Sequence, residues 1–348
     1  MKLFLRRIAL GVVSLALVLS VAEVVARVIV ARQPAPGPRA LPEEWRGLPQ
    51  IQGIHTLAQP NVRGLHAGTL FETNSAGFRG PERAPEKPPG VFRIVVTGDS
   101  IAMGWGVPYD DTYAARIERA LNASPGSRSV EVLDIAIAGL SAREAVIRFS
   151  NLGLSYDPDL VIYGFTLNDI ENDHYRRGEA GFRSPLPGIQ SSPSRLWRLI
   201  GPRWVSLTNA IFLPRGSYLR ELDDNYFRNP EAWGMLLHYL ERFGEVARER
   251  EICAVVLVHT RLTALHRFHP LRRQYAAVGE AAEARGLYVA QSFPSFVGTA
   301  DTDLWVSSVD AHPNPEGHRI LADVVLRRLE SLPQSCWDRS PRRGVPAP

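Results

Sequence analysis

An α/β fold with a doubly wound parallel sheet of about five strands is predicted by three observations. Five short β-rich runs recur from residue 91 onward: Phe92–Thr97, Val130–Ile135, Leu160–Phe165, Ile252–Val258 and Leu287–Ala290. Segments of helical period lie between them, and strands that alternate with helices read as βαβ units paired in parallel. The 348 residues, 45% hydrophobic and 22% charged, supply the core such a domain needs and exclude a disordered chain.

The helices carry their own signals. Tyr113, Ile117 and Leu121 recur every four residues behind Asp110 and Asp111, giving an apolar stripe with an acidic N-terminus. Ser141 and Glu144 read as a capping box that opens a helix burying Val146 and Phe149. A helix over 231–248 turns Trp233, Leu236, Leu240 and Phe243 to the core. The last helix has Asn314 as N-cap and Pro315 at its first position, with Ile320, Leu321, Val324 and Val325 inward.

Ahead of this domain, Lys2, Arg6 and Arg7 precede the uninterrupted apolar run Ile8–Ala22. Residues 1–32 therefore read as a signal anchor or signal peptide. Ser20-Val21-Ala22 offers the small residues of a cleavage site, whereas an uncut helix pairs Glu23 with Arg27 near the outer interface. The expected location is the inner membrane, single-pass with a periplasmic domain, or the periplasm after cleavage. Residues 33–50 form a Pro-rich linker, 51–90 an irregular ribbon in which Arg79 is read as a surface side chain, with pointing toward the site as the alternative, and 91–332 the main domain. Residues 171–228 are an insertion whose Arg176, Arg177, Trp197, Trp204 and Tyr218 suit sugars or carboxylates, or else a packed cap that only shields the sheet edge, and 333–348 a disordered tail.

The net charge of +4 sits at the chain ends, in Lys2, Arg6 and Arg7 and in Arg339, Arg342 and Arg343. The near-neutral body lacks the positive field that phosphate neutralisation requires, so no nucleic-acid partner is expected. Two cysteines exclude a disulfide framework and a zinc site built from four cysteines, and Cys253, inside an apolar run, reads as a buried core thiol. His266 and His269 have helical ligand spacing but no third ligand, so no metal is expected, and His318 reads as an exposed helix residue.

Open parallel sheets bind ligands at the carboxyl ends of their strands. Gly98-Asp99-Ser100 follows the first run, Ala138-Gly139 the second and Thr166-Leu167-Asn168-Asp169 the third. Asp310-Ala311-His312 precedes the last helix. A serine at a strand-to-helix turn with a histidine in a distant loop is what an activated nucleophile needs, and the backbone N–H groups of Ser100 and Gly139 with the Asn168 amide suit an oxyanion hole. Trp105 is read as a wall of the substrate cleft.

These blocks resemble the SGNH/GDSL hydrolase superfamily over about 90–332, in the manner of an exported, N-terminally anchored bacterial member. The resemblance implies a flavodoxin-like three-layer α/β/α sandwich, Ser100 as nucleophile, His312 as base and Gly139 with Asn168 in the oxyanion hole. Two positions depart from the family pattern. The triad carboxylate usually stands three residues before the histidine, where this chain has Val309, leaving Asp310 one residue closer; and Asp134 stands where relatives carry Asn. The expected function is a serine esterase that deacylates a cell-envelope glycan, without a cofactor. Two alternatives are an O-acyltransferase using the same residues and a non-catalytic glycan-binding or assembly protein. The expected partners are the acylated glycan or another ester, the membrane through the N-terminal helix, and envelope polysaccharide machinery.

Overall fold

The computed structural model describes residues 2–32, 42–51, 58–123, 128–170, 192–197, 200–201, 204, 218–307 and 310–338. Arg176, Arg177 and Val309 lie outside them. The chain begins with helix α1 (Lys2–Arg32), followed by an antiparallel hairpin of β1 (Arg63–His66) and β2 (Thr69–Glu72). Within the expected irregular ribbon, residues 63–72 thus form a regular hairpin.

The core is a five-stranded sheet of β3 (Phe92–Gly98), β4 (Val130–Asp134), β5 (Leu160–Phe165), β6 (Cys253–Val258) and β7 (Tyr288–Gln291). Every pairing is parallel and the spatial order is β4-β3-β5-β6-β7, the flavodoxin-like order with its switch point between β3 and β5. Both faces are covered, so β3 and β5 are buried at every position. Successive strand residues still serve opposite layers. Val95, Val161, Tyr163 and Val256 join the layer of α4 (Ala142–Asn151), α6 (Pro230–Glu249) and α7 (Arg272–Glu283); Ile94, Val96, Ile162 and Leu257 join that of α3 (Tyr113–Leu121), Phe296 of the short α8 (Phe293–Phe296) and α9 (Pro315–Glu330). Helix α5 (Tyr218–Phe227), from the 171–228 insertion, adds Leu222 and Tyr226 to the first layer.

The caps form at the residues that signal them. Glu144 accepts from Ser141 N at 2.8 Å, and Asn314 Oδ1 accepts from the N–H groups of Glu316 and Gly317. Thr112, directly before α3, accepts from Ala115 N, while Asp110 and Asp111 form a preceding 3-10 turn.

Four expectations are corrected. Residues 333–338 are not a disordered tail: Gln334–Cys336 is a 3-10 turn packed on the domain. Cys253 is not a free thiol but forms a disulfide with Cys336, 83 residues away, which ties the start of β6 to the segment after α9. Arg79 is buried rather than on the surface, because its guanidinium meets the carbonyls of Met103, Gly104 and Val107 at 2.8 to 3.0 Å. His318 is buried rather than exposed; its Nδ1 accepts from Tyr113 N, and its ring stacks on Tyr113.

Along α1, Leu10, Val13, Leu15, Leu17 and Val24 are exposed. Among the described residues no helix is long and apolar enough to cross a membrane.

Candidate active site

Strand β3 ends on Gly98, and the chain turns at once into the short helix α2 (Ser100–Met103). The turn needs glycine. Gly98 has φ +151, and a Cβ there would lie 2.5 Å from the carbonyl oxygen of Gly164, its register partner on β5. Asp99 caps α2 by accepting from Ile101 N at 3.0 Å, which leaves Ser100 at the first helical position.

Because β3 lies between β4 and β5, the turns that follow these three strands are neighbours. Ser100 therefore stands between the Ala138-Gly139 turn, where Gly139 has φ 79, and the 3-10 turn Leu167–Ile170 that carries Asn168. Asp99 joins the turns of Ser100 and Asn168, since its buried carboxylate accepts from Thr166 Oγ1 at 3.0 Å and from the Asn168 side chain. Burial pushes the Asp99 carboxyl above its ordinary range.

The fourth element is a hairpin that the sequence did not announce. Strands β8 (Trp305–Ser307) and β9 (Asp310–Pro313) pair antiparallel, and Val306 packs over Gly106 in the loop after α2. This docking carries His312 to Ser100: His312 Nε2 lies 2.9 Å from Ser100 Oγ. On the other side of the ring, His312 Nδ1 lies 2.6 Å from Asp310 Oδ1, which also accepts from His312 N at 3.0 Å. Residues two apart share a face only where the backbone is extended, and β9 meets that condition.

Trp105 is not simply a wall. Its indole N–H donates to Asp310 Oδ2 at 2.9 Å, and its ring stacks on His312 with centroids 5.2 Å apart and planes at 21°. Half-burial alone would raise the Asp310 carboxyl, but the hydrogen bonds from His312 and Trp105 outweigh it and hold the group below its ordinary value. His66, on β1, packs edge-on against Trp105 at 4.3 Å, and burial lowers its imidazole. Sequence reasoning missed His66, because nothing local in a short hairpin points to a distant strand end.

Asp134, at the end of β4, is fully buried, and burial raises its carboxyl to about 7 despite a hydrogen bond from Ala136 N and the nearby charges of Arg79 and Arg148. His266 and His269 are spent on their own loop. His266 Nδ1 accepts from Phe268 N, while His269 pairs with Leu271 N and Arg261 O. Among the described residues no cluster of His, Cys, Asp and Glu can hold a metal ion.

The arrangement suits nucleophilic acyl transfer: a serine beside an imidazole, the imidazole beside a carboxylate, and donors at the flanking strand ends. No curated protein matches the chain. Among solved structures, the chain is similar to TesA (15% identity, 68% of this chain, 98% of that one, TM-score 0.43). It is also similar to a catalytic variant of the acetylxylan esterase Axe2 from Geobacillus stearothermophilus (16%, 72% and 97%, 0.43). A third likeness is to a lipolytic G-D-S-L protein from Veillonella parvula (14%, 69% and 100%, 0.41). The profile of the GDSL-like Lipase/Acylhydrolase family matches residues 96–320, a span that takes in the serine turn, both flanking turns and the histidine hairpin. A match over most of the chain settles its kinship: the protein belongs to the GDSL-like lipase/acylhydrolase family and is an ester-cleaving serine hydrolase.

Proposed function

We propose that the protein is an exported deacylase that removes acetyl or another short acyl group from a cell-envelope glycan. The observation that carries this reading is the chain of contacts from Ser100 Oγ to His312 Nε2 at 2.9 Å and from His312 Nδ1 to Asp310 Oδ1 at 2.6 Å. Ser100 Oγ attacks the ester carbonyl while His312 takes the hydroxyl proton, and Asp310 orients the ring and stabilises its positive charge. The N–H groups of Ser100 and Gly139 and the Asn168 amide stabilise the tetrahedral oxyanion. Its collapse expels the alcohol, protonated by His312, and leaves the acyl group on Ser100. Water, deprotonated by His312, then releases the acid and restores the serine.

Two further observations support export. The disulfide Cys253–Cys336 suits an oxidising compartment, and the exposed apolar side chains of α1 behind Arg6 and Arg7 suit a targeting helix kept at the membrane or cleaved. A sugar ligand is supported by Trp197 and Trp204, exposed aromatics from the insertion. Transfer of the acyl group to a sugar hydroxyl would use the same intermediate.

The test is release of acetate from an activated acetyl ester and from an acetylated oligosaccharide, each with and without an unacetylated acceptor. Acetate release from both, unchanged by acceptor, is expected. Acyl transfer to the acceptor in place of release makes the protein a transferase, and turnover that survives Ser100→Ala overturns the mechanism. A reporter fused after Arg79 should be active only outside the cytoplasm.

A further inference from the structure

Asp310 holds His312 through one oxygen, because Oδ1 takes both the ring Nδ1 and the backbone N–H. A carboxylate engaged only there keeps freedom about its terminal torsion, which is broad for Asp, and the ring it orients shares that freedom. Trp105 removes it. The indole N–H binds the other oxygen, Oδ2, at 2.9 Å, while the indole face lies against the imidazole at 5.2 Å.

The backbone that presents Trp105 is itself held on several sides. Trp105 N donates to Ser100 O at 2.9 Å, and Gly104 and Gly106 on either side adopt positive φ. The Arg79 guanidinium, carried in from the segment after β2, donates to Met103 O, Gly104 O and Val107 O, and the His66 ring packs at right angles to the indole. A residue that only lined the cleft would need neither a hydrogen bond to the triad carboxylate nor a buried cation fixing its loop.

We infer that Trp105 is a positioning residue for ester cleavage: it locks Asp310 by its second oxygen and His312 by its ring, so that Nε2 stays aimed at Ser100 Oγ. Arg79 acts one step further out, by fixing the loop that presents the indole. The device suits the shortened spacing, in which one carboxylate oxygen serves both the ring and the backbone of His312 and the other is left to Trp105. The inference rests on the proposed roles of Ser100, His312 and Asp310.

The test is a double-mutant cycle on an activated acetyl ester. Trp105→Phe keeps the ring and deletes the N–H; kcat should fall about 10-fold or more with KM changed less than about twofold. In an Asp310→Ala background the same substitution should cost less than about twofold, because no carboxylate remains to be held. Trp105→Tyr, which also lacks the indole N–H, runs the same cycle if the Phe variant does not fold. A rise in KM at constant kcat, or a full independent loss in the Asp310→Ala background, would make Trp105 a substrate wall and overturn the inference. Turnover unchanged by Ser100→Ala would instead bring down the catalytic reading beneath it, so the two failures are distinguishable.

Discussion

Asp310 and His312 stand two residues apart on one extended strand, and Oδ1 of the first meets Nδ1 of the second at 2.6 Å. The pair is intact although the carboxylate is one residue closer to the histidine than the family pattern has it. Asp310→Asn would set an amide N–H against the ring N–H or force the other tautomer. A loss of about 10² to 10⁴ in kcat is expected, with His312→Ala nearly as damaging as Ser100→Ala. Steady-state rates of the three variants on one activated ester decide it. Unchanged turnover in Asp310→Asn would mean that the enzyme works as a Ser-His dyad.

Asp134 sets a pH dependence of stability. Its folded carboxyl titrates near 7 because it is buried, against an ordinary value of 3.8, so the folded state holds a proton that the unfolded state has released. Its contribution is fully present below about pH 4 and is lost as pH rises through about 7, by roughly 2 to 4 kcal/mol. Asp134→Asn keeps an oxygen for the Ala136 N–H and removes the ionisation. The Tm of the variant should match wild type near pH 3.5 and exceed it near pH 8.5. An equal difference at both pH values would show that Asp134 does not titrate in this range.

Arg79 is the brace between the hairpin segment and the loop after α2. Arg79→Met leaves three carbonyl oxygens and the nearby Asp134 without the cation, and unfolding free energy should drop by about 3 kcal/mol or more. Urea melts at pH 7 measure it. A loss under about 1 kcal/mol, typical of a surface substitution, would contradict the burial described here.

The disulfide closes a loop between residues 83 apart in sequence, which restrains the unfolded chain. Cys253→Ser with Cys336→Ser, or reduction of the wild type, should cost about 2 to 5 kcal/mol. Turnover per folded molecule should stay unchanged, because both cysteines lie at the end of the sheet away from Ser100. Equal denaturant midpoints with and without reductant would refute the link.

Much of the site was legible because its parts are local. Gly98-Asp99-Ser100, Gly139 and Asn168 each follow a β-rich run, and parallel pairing places such turns on one edge whatever the side chains between them. The β8–β9 hairpin was not legible: its strands are only three and four residues long, too short for an alternating pattern to stand out. Cys253 was misread for a different reason, since a half-cystine inside a strand looks like any small buried residue until its partner is brought near.

The sequence by itself determined the strand and helix periods, the caps at Ser141 and Asn314 and the glycine-bound turn that carries Ser100. These rest on interactions within a few residues, which composition and spacing encode directly. Tertiary structure alone decided that Arg79 turns inward to three carbonyls, that His318 is buried against Tyr113, that Cys336 meets Cys253 and that Trp105 reaches Asp310 across 205 positions. Each is a polar or reactive group whose partner is fixed by the packing of distant elements, and desolvation makes that partner necessary only once the chain has folded around it.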